Sequence, residues 1–152
     1  MKPARETVAE LLADYGALID AGKFDEWLDL FAKECSYEIM PRENYEWGLP
    51  AALIFCDSRA VLEDRIRALR EANKYNIHTD RHLIGLPRIF DNCHKVEAPF
   101  AVYQTDQEGE TRLFATGLYR DRIQCLDGRL KICEKLVLLD TFAVPSLLAT
   151  PL

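Results

Sequence analysis

Glycine and proline are sparse, seven of each in 152 residues, and no uninterrupted apolar run reaches eighteen residues. A collagen-like or low-complexity chain is thereby excluded, as is a transmembrane helix. The five cysteines, Cys35, Cys56, Cys93, Cys125 and Cys133, are odd in number, irregularly spaced and without a C-x-x-C pair. They describe neither a disulfide framework nor a zinc ribbon, and buried free thiols are expected. The net charge is -6, and no Lys/Arg block is free of interspersed acids, so nucleic acid is not an expected partner. The opening "MKPARETVAELLADYG" carries acids where a secretory leader needs an apolar stretch, which points to a cytoplasmic protein away from membranes. Histidine is scarce as well: only His78, His82 and His94 are available for metal or acid–base work.

What is abundant is apolar side chain, 49% of the sequence, enough for one domain spanning residues 1–152 with a real core. Val8, Leu11, Leu12, Tyr15, Leu18 and Ile19 recur at helical spacing and Gly22 follows as a stop, predicting a helix over roughly residues 4–21. "FDEWLDLF" continues the helical pattern, and strand-like alternation begins near Cys35. "PRENYEWGLPA" reads as a structured loop and "LIFCDS" as a short strand. Asp57 or Ser58 can cap a third helix with Leu62, Ile66, Leu69 and Asn73 on one face and the charged Glu63, Arg67 and Glu71 on another. From His78 onward four strands follow: "RHLIGLPRIF", "HKVEAPFAVYQT", "RLFATGLYRDRIQCL" and "RLKICEKLVLLD". The Asp127-Gly128 junction between the last two is a hairpin signal, because a tight turn there needs positive φ. Three helices and a long antiparallel meander predict an α+β fold, a curved antiparallel sheet wrapped into a cone around the helices, with bends at Gly85, Pro87 and Gly117.

Chemistry could sit in three places. In "HTDRH", His78, Asp80 and His82 share one face of a strand, but the two histidines then lie about 13 Å apart at ~3.3 Å per residue, poor spacing for one ion. As a helix the segment would bring them together, yet the glutamate of H-E-x-x-H is absent. Ordinary hydrogen-bonded histidines are the preferred reading. Cys93-His94 lies in a turn with no second Cys/His pair at ligand spacing, so this chain cannot hold a Rieske cluster, and adjacent side chains diverge too far for a catalytic dyad. In the last hairpin, a plain two-residue turn sets Ile123 opposite Ile132 and Asp121 opposite Glu134, on the face of Tyr119. Two opposed carboxylates there would resemble an acid–base pocket, or would pair with arginines from another element or chain. The structural reading is preferred. The tail "TFAVPSLLATPL" has Phe142, Val144, Leu147, Leu148 and Leu152 and no charge, and should dock on its own domain or on another chain.

Several segments in order resemble one family. These are "WLDLFAKECSYEI", "GLP", an acid before Ser58, "DRIRALREAN", "RHLIGLP" and the closing "LLATPL". Together they cover nearly the whole chain and resemble the small (β) subunit of aromatic-ring-hydroxylating oxygenases, nearest to the terephthalate, salicylate and anthranilate type. The resemblance implies the cone fold of nuclear transport factor 2 and scytalone dehydratase. It also implies a structural chain without catalytic residues, cofactor or metal of its own. The partner would be a large (α) subunit carrying a Rieske 2Fe-2S cluster and a mononuclear iron, with the small chain trimeric in an α3β3 complex that hydroxylates an aromatic substrate, an aromatic carboxylic acid by type. Under this reading His78, Asp80, Arg81 and His82, with Phe142, Leu147, Leu148 and Leu152, are packing or subunit-contact residues. Arg65, Arg67, Arg70 and Arg81 among acids fit a polar interface. The competing reading is a stand-alone dehydratase or isomerase, or a small-ligand-binding protein, whose apolar pocket would use Tyr119, Asp121, Glu134 and His82, with Tyr15 and Tyr37 nearby.

Overall fold

A computed structural model describes residues 5–49, 52–72, 77–90, 94–141 and 151–152. The expected positions Asn73, Cys93, Phe142, Val144, Leu147 and Leu148 lie outside these residues. Helix α1 (Arg5–Asp20) buries Val8, Leu11, Leu12, Tyr15 and Ile19 along one stripe. It ends as predicted at Gly22, whose φ of 70° lets the Lys23 amide turn back onto the Leu18 carbonyl. The short α2 (Phe24–Leu28) exists to seat Trp27, which is wholly buried.

Strand β1 (Phe31–Pro41) starts earlier than the alternation from Cys35 suggests, and the expected loop contains a short helix, α3 (Arg42–Glu46). Strand β2 (Ile54–Cys56) follows, and then α4 (Arg59–Ala72), capped by Ser58 through Oγ and the Val61 amide. Leu62, Ile66 and Leu69 face the core from α4; its charged face pairs Arg59 with Glu63 and Arg67 with Asp64. The predicted strand "RHLIGLPRIF" is two strands, β3 (Thr79–Ile84) and β4 (Arg88–Phe90), broken at the expected Gly85 and Pro87. The last three strands are β5 (Lys95–Thr105), β6 (Thr111–Leu126) and β7 (Arg129–Leu139).

Among the described residues seven strands form one sheet in the order β2-β1-β7-β6-β5-β3, with β4 on β5. The pairing is antiparallel except that β1 runs parallel to β7, which corrects the purely antiparallel expectation. Local signals could not show this, because nearly ninety residues separate the two strands and their pairing is set by closure over the helices. Curvature depends on close backbone approach at two glycines. A Cβ at Gly117 would lie 2.0 Å from the Leu138 carbonyl oxygen, and one at Gly85 2.7 Å from Pro99 Cγ. Helix α1 covers β3 and α4 covers β1, so the core fills the concave side of the sheet. Among the described residues no helix is long and apolar enough to cross a membrane.

Candidate functional site

The β6–β7 hairpin turns at Asp127 and Gly128 with φ of 53° and 78°, the left-handed pair a tight turn requires. Ile123 faces Ile132, as plain register predicts. One step on, the register shifts: Cys133 is an extra residue, so Arg122 faces Glu134 and Asp121 faces Lys135. A one-residue bulge inverts the alternation beyond it. Glu134 and Leu136 therefore leave the concave face, and Lys135 takes the place the sequence suggested for Glu134. Glu134 lies exposed 3.7 Å from Arg122, and the pair of opposed carboxylates does not form.

In its place is a buried ion pair. Lys135 Nζ donates to Asp121 Oδ2 at 2.9 Å, with both side chains fully buried. The ammonium also lies 3.5 Å from the ring centroid of Tyr119 and 4.0 Å from that of Tyr15, where the π faces supply negative potential. Burial pushes the Asp121 carboxyl up and the Lys135 ammonium down, while their mutual attraction opposes both shifts. Asp121 Oδ1 and the Tyr119 hydroxyl have no hydrogen-bond partner among the described residues.

Aromatic rings wall this pair in. Tyr119 stacks on Phe100 at 4.2 Å and meets Tyr15 edge-on at 5.5 Å, and Trp27 meets Tyr15 in a tilted contact and Phe31 and Tyr37 edge-on. Tyr15 and Tyr37, from α1 and β1, both donate to one acceptor, the main-chain oxygen of Leu152, at 2.5 and 2.9 Å. The Leu152 amide donates back to the Tyr37 hydroxyl at 2.9 Å, and the Leu152 side chain joins the core. Burial drives the hydroxyls of Tyr15, Tyr37 and Tyr119 well above the usual phenol range.

The "HTDRH" histidines are each taken by a different carboxylate. On β3, Asp80 and His82 point inward and Arg81 outward. His82 accounts for both oxygens of Asp20: its amide donates to Oδ2 at 2.8 Å and its Nδ1 to Oδ1 at 2.6 Å, since a carboxylate only accepts. His78 Nε2 lies 3.4 Å from Asp80 Oδ2, largely covered. His94 contacts the Ile123 carbonyl at 3.2 Å. Among the described residues no three His, Cys, Asp or Glu side chains gather as a metal would need. Cys35, Cys56, Cys125 and Cys133 are free thiols, two buried and two half-buried.

Of the residues expected at subunit contacts, the structure turns Asp80, His82 and Leu152 into the interior of their own chain: Asp80 lies against His78, His82 binds Asp20 of α1, and Leu152 joins the core beside Tyr15 and Tyr37. Tyr119, Asp121 and His82 do lie on the concave side, while Glu134 does not. The sequence pattern does not point to Lys135 or Asp20, because plain alternation sends Lys135 outward unless the bulge intervenes. The outer surface offers Trp47, Leu49, Leu53 and Phe55 at the β2 end of the sheet. At the β3 end it offers Leu83, Leu86, Tyr103 and Leu113. A broad concavity near the start of β1 mixes Arg59, Arg122 and Lys131 with Asp29, Glu34 and Glu134, so it is not an anion pocket.

The family model described as "Ring hydroxylating beta subunit" matches residues 16–146. The chain is 36% identical over 148 residues to a terephthalate 1,2-dioxygenase terminal oxygenase component subunit beta of a Comamonas species, covering 95% of this chain and 96% of that one. A crystal structure assigned as the beta subunit of an aromatic-ring-hydroxylating dioxygenase from Novosphingobium aromaticivorans superposes with a TM-score of 0.88 at 37% identity, covering 97% and 96% of the two chains. A protein of that organism assigned as a scytalone dehydratase shares the fold, with a TM-score of 0.70 at 15% identity over 96% and 90% of the chains.

Proposed function

Because the chain belongs to the ring hydroxylating beta subunit family, we propose that it is the structural small subunit of a cytoplasmic Rieske non-haem iron oxygenase acting on an aromatic carboxylic acid. The large α subunit carries the 2Fe-2S cluster and the mononuclear iron. The small chain forms a trimeric base, and the complex is α3β3. Family membership across residues 16–146 carries this reading, and the terephthalate relative supports the substrate class.

The chemistry of the chain fits a supporting role. His78, His82 and His94 are engaged with Asp80, Asp20 and the Ile123 carbonyl, as ordinary hydrogen-bonded histidines are. Large apolar side chains stand exposed at both ends of the sheet, Trp47 at 66%, Phe55 at 61% and Leu86 at 73%, a pattern that marks association surfaces. Arg81, outward on β3 beside Tyr103, is the contact residue retained from the "HTDRH" segment.

Co-expression with the large subunit, followed by affinity capture through a tag on the small chain, tests the assembly. An iron-containing large chain should co-purify, and aromatic acid should be consumed only by the complex when reductant and electron-transfer proteins are supplied. Turnover by the small chain alone, or full activity of the large chain without it, would overturn the reading. Light scattering should give a trimer mass for the small chain; a monomer at micromolar concentration would refute the trimeric base.

A further inference from the structure

Two stretches of the outer sheet face carry the same kind of surface with opposite unpaired charge. At one end, Glu38 of β1 has Phe55 of β2 as its cross-strand neighbour on one side and Leu136 of β7 on the other. Alternation turns Glu38 and Phe55 outward, because Tyr37, Ile39, Ile54 and Cys56 beside them fill the core. The Glu38 carboxylate is half-buried in a groove of about 540 Å³ lined also by Tyr45, Phe90 and Leu136. The arginines of this groove are already used: Arg120 donates to Glu97 Oε2 at 3.1 Å and lies over the Tyr45 ring, and Arg122 lies 3.7 Å from Glu134. Glu38 itself has no hydrogen bond or ion pair among the described residues, and burial pushes its carboxyl up.

At the other end, Arg81 of β3 is paired across the sheet with Tyr103 of β5, and Tyr103 with Leu113 of β6. All three are exposed, and Leu83 stands exposed beside them. Asp80 and His82 on either side of Arg81 point inward, so its guanidinium stands on the outer face. It too has no hydrogen bond or ion pair among the described residues. An aromatic ring beside a free carboxylate at the β1–β2 end is thus matched by an aromatic ring beside a free guanidinium at the β3–β5 end. We infer that these two patches bind each other between copies of this chain: Arg81 of one copy donates to Glu38 of the next, and Phe55, Leu136, Tyr103 and Leu113 close around the pair. The inference rests on the trimeric base proposed above and names the surfaces that build it.

Charge decides how the copies meet. A two-fold contact would set Glu38 against Glu38 or Arg81 against Arg81, and like charges in a partly dry interface repel. A head-to-tail contact uses one patch of each kind. Both lie on one chain at opposite ends of one sheet, so every copy engages two neighbours, as a closed ring of three requires. An isolated ion pair on a wet surface contributes little. Ringed by apolar side chains that exclude water, the same pair is stronger and fixes the register of the contact. A planar guanidinium suits the groove, because it bonds a carboxylate through two N–H groups while lying against an aromatic ring, as Arg120 already lies on Tyr45.

The test is a charge exchange in the full chain. Light scattering after size exclusion reads the mass of wild type, Glu38→Arg, Arg81→Glu and the double variant over a range of concentrations, with folding checked by circular dichroism. Each single variant sets like charges together and should raise the concentration at which the trimer half-dissociates at least tenfold. The double variant restores the pair with its charges exchanged and should return to within threefold of wild type. Arg129→Glu, at an exposed position outside both patches, should leave the trimer unchanged. A wild-type trimer that neither reversal weakens, that the double variant fails to restore, or that Arg129→Glu weakens equally would overturn the inference and leave the trimeric base standing. A wild-type monomer at micromolar concentration would overturn both. Single reversals that lower capture of the large subunit while the small chain keeps its trimer mass would give the patches to the large subunit and overturn the contact between copies.

Discussion

Replacing Lys135 by Met removes the ammonium and keeps most of the unbranched apolar stem. It leaves Asp121 with a fully buried side chain and no counter-charge. Keeping that carboxylate ionised would cost several kcal/mol, so the variant takes up a proton instead. At pH 7, protonating a group whose unfolded value is about 3.9 costs about 1.36 kcal/mol per pH unit, which sets a limit of about 4 kcal/mol. The wild-type carboxyl is itself raised by burial, with Lys135 opposing the shift, so the difference between variant and wild type falls below that limit. A loss of about 2–4 kcal/mol at pH 7 is expected, with ~1 kcal/mol of it from the lost cation–π contacts. The sign of the pH dependence follows from the raised folded-state value. The electrostatic penalty is absent below about pH 4, where both states carry the proton, and grows as pH rises and the unfolded chain alone releases it. Urea unfolding of the purified chain at pH 5 and pH 7, followed by circular dichroism, measures it. The Lys135→Met loss should shrink by at least 1 kcal/mol at the lower pH, and adding Asp121→Leu should restore at least half of it at pH 7. An equal loss at both pH values, or a double variant no more stable than the single one, would refute the reasoning.

Two further outcomes follow from the interior. Tyr15, Tyr37 and Tyr119 hold their protons in the fold far above the usual phenol value, so above about pH 10 the unfolded chain loses three protons that the native chain keeps. Stability should fall there by about 4 kcal/mol per pH unit, and absorbance at 295 nm should show these tyrosines ionising only as the circular dichroism signal is lost; full ionisation of a still-folded chain would contradict it. Gly117→Ala drives a Cβ to 2.0 Å from the Leu138 carbonyl oxygen, a backbone atom that no rotamer change can move, and should cost ~3 kcal/mol or prevent folding, while Gly109→Ala, in an open turn, should cost less by chemical denaturation.

Much of the fold was legible because it rests on local signals. The stripe of α1, the stop at Gly22, the Ser58 cap and the Asp127-Gly128 turn each depend on a few neighbouring residues, and the structure has them all. The family, too, could be read from the order of its segments, including "DRIRALREAN" and "RHLIGLP". Tertiary structure alone decided the interior. The parallel seating of β1 on β7 joins strands far apart in sequence, and a single extra residue at Cys133 exchanged Glu134 for Lys135 on the concave face. Side-chain alternation has a period of two, so one insertion inverts everything beyond it, and its position is fixed by packing against other elements. The destination of Leu152 followed from the same closure, because the hydroxyls that bind it come from α1 and β1 and meet only once the sheet has wrapped around the helices.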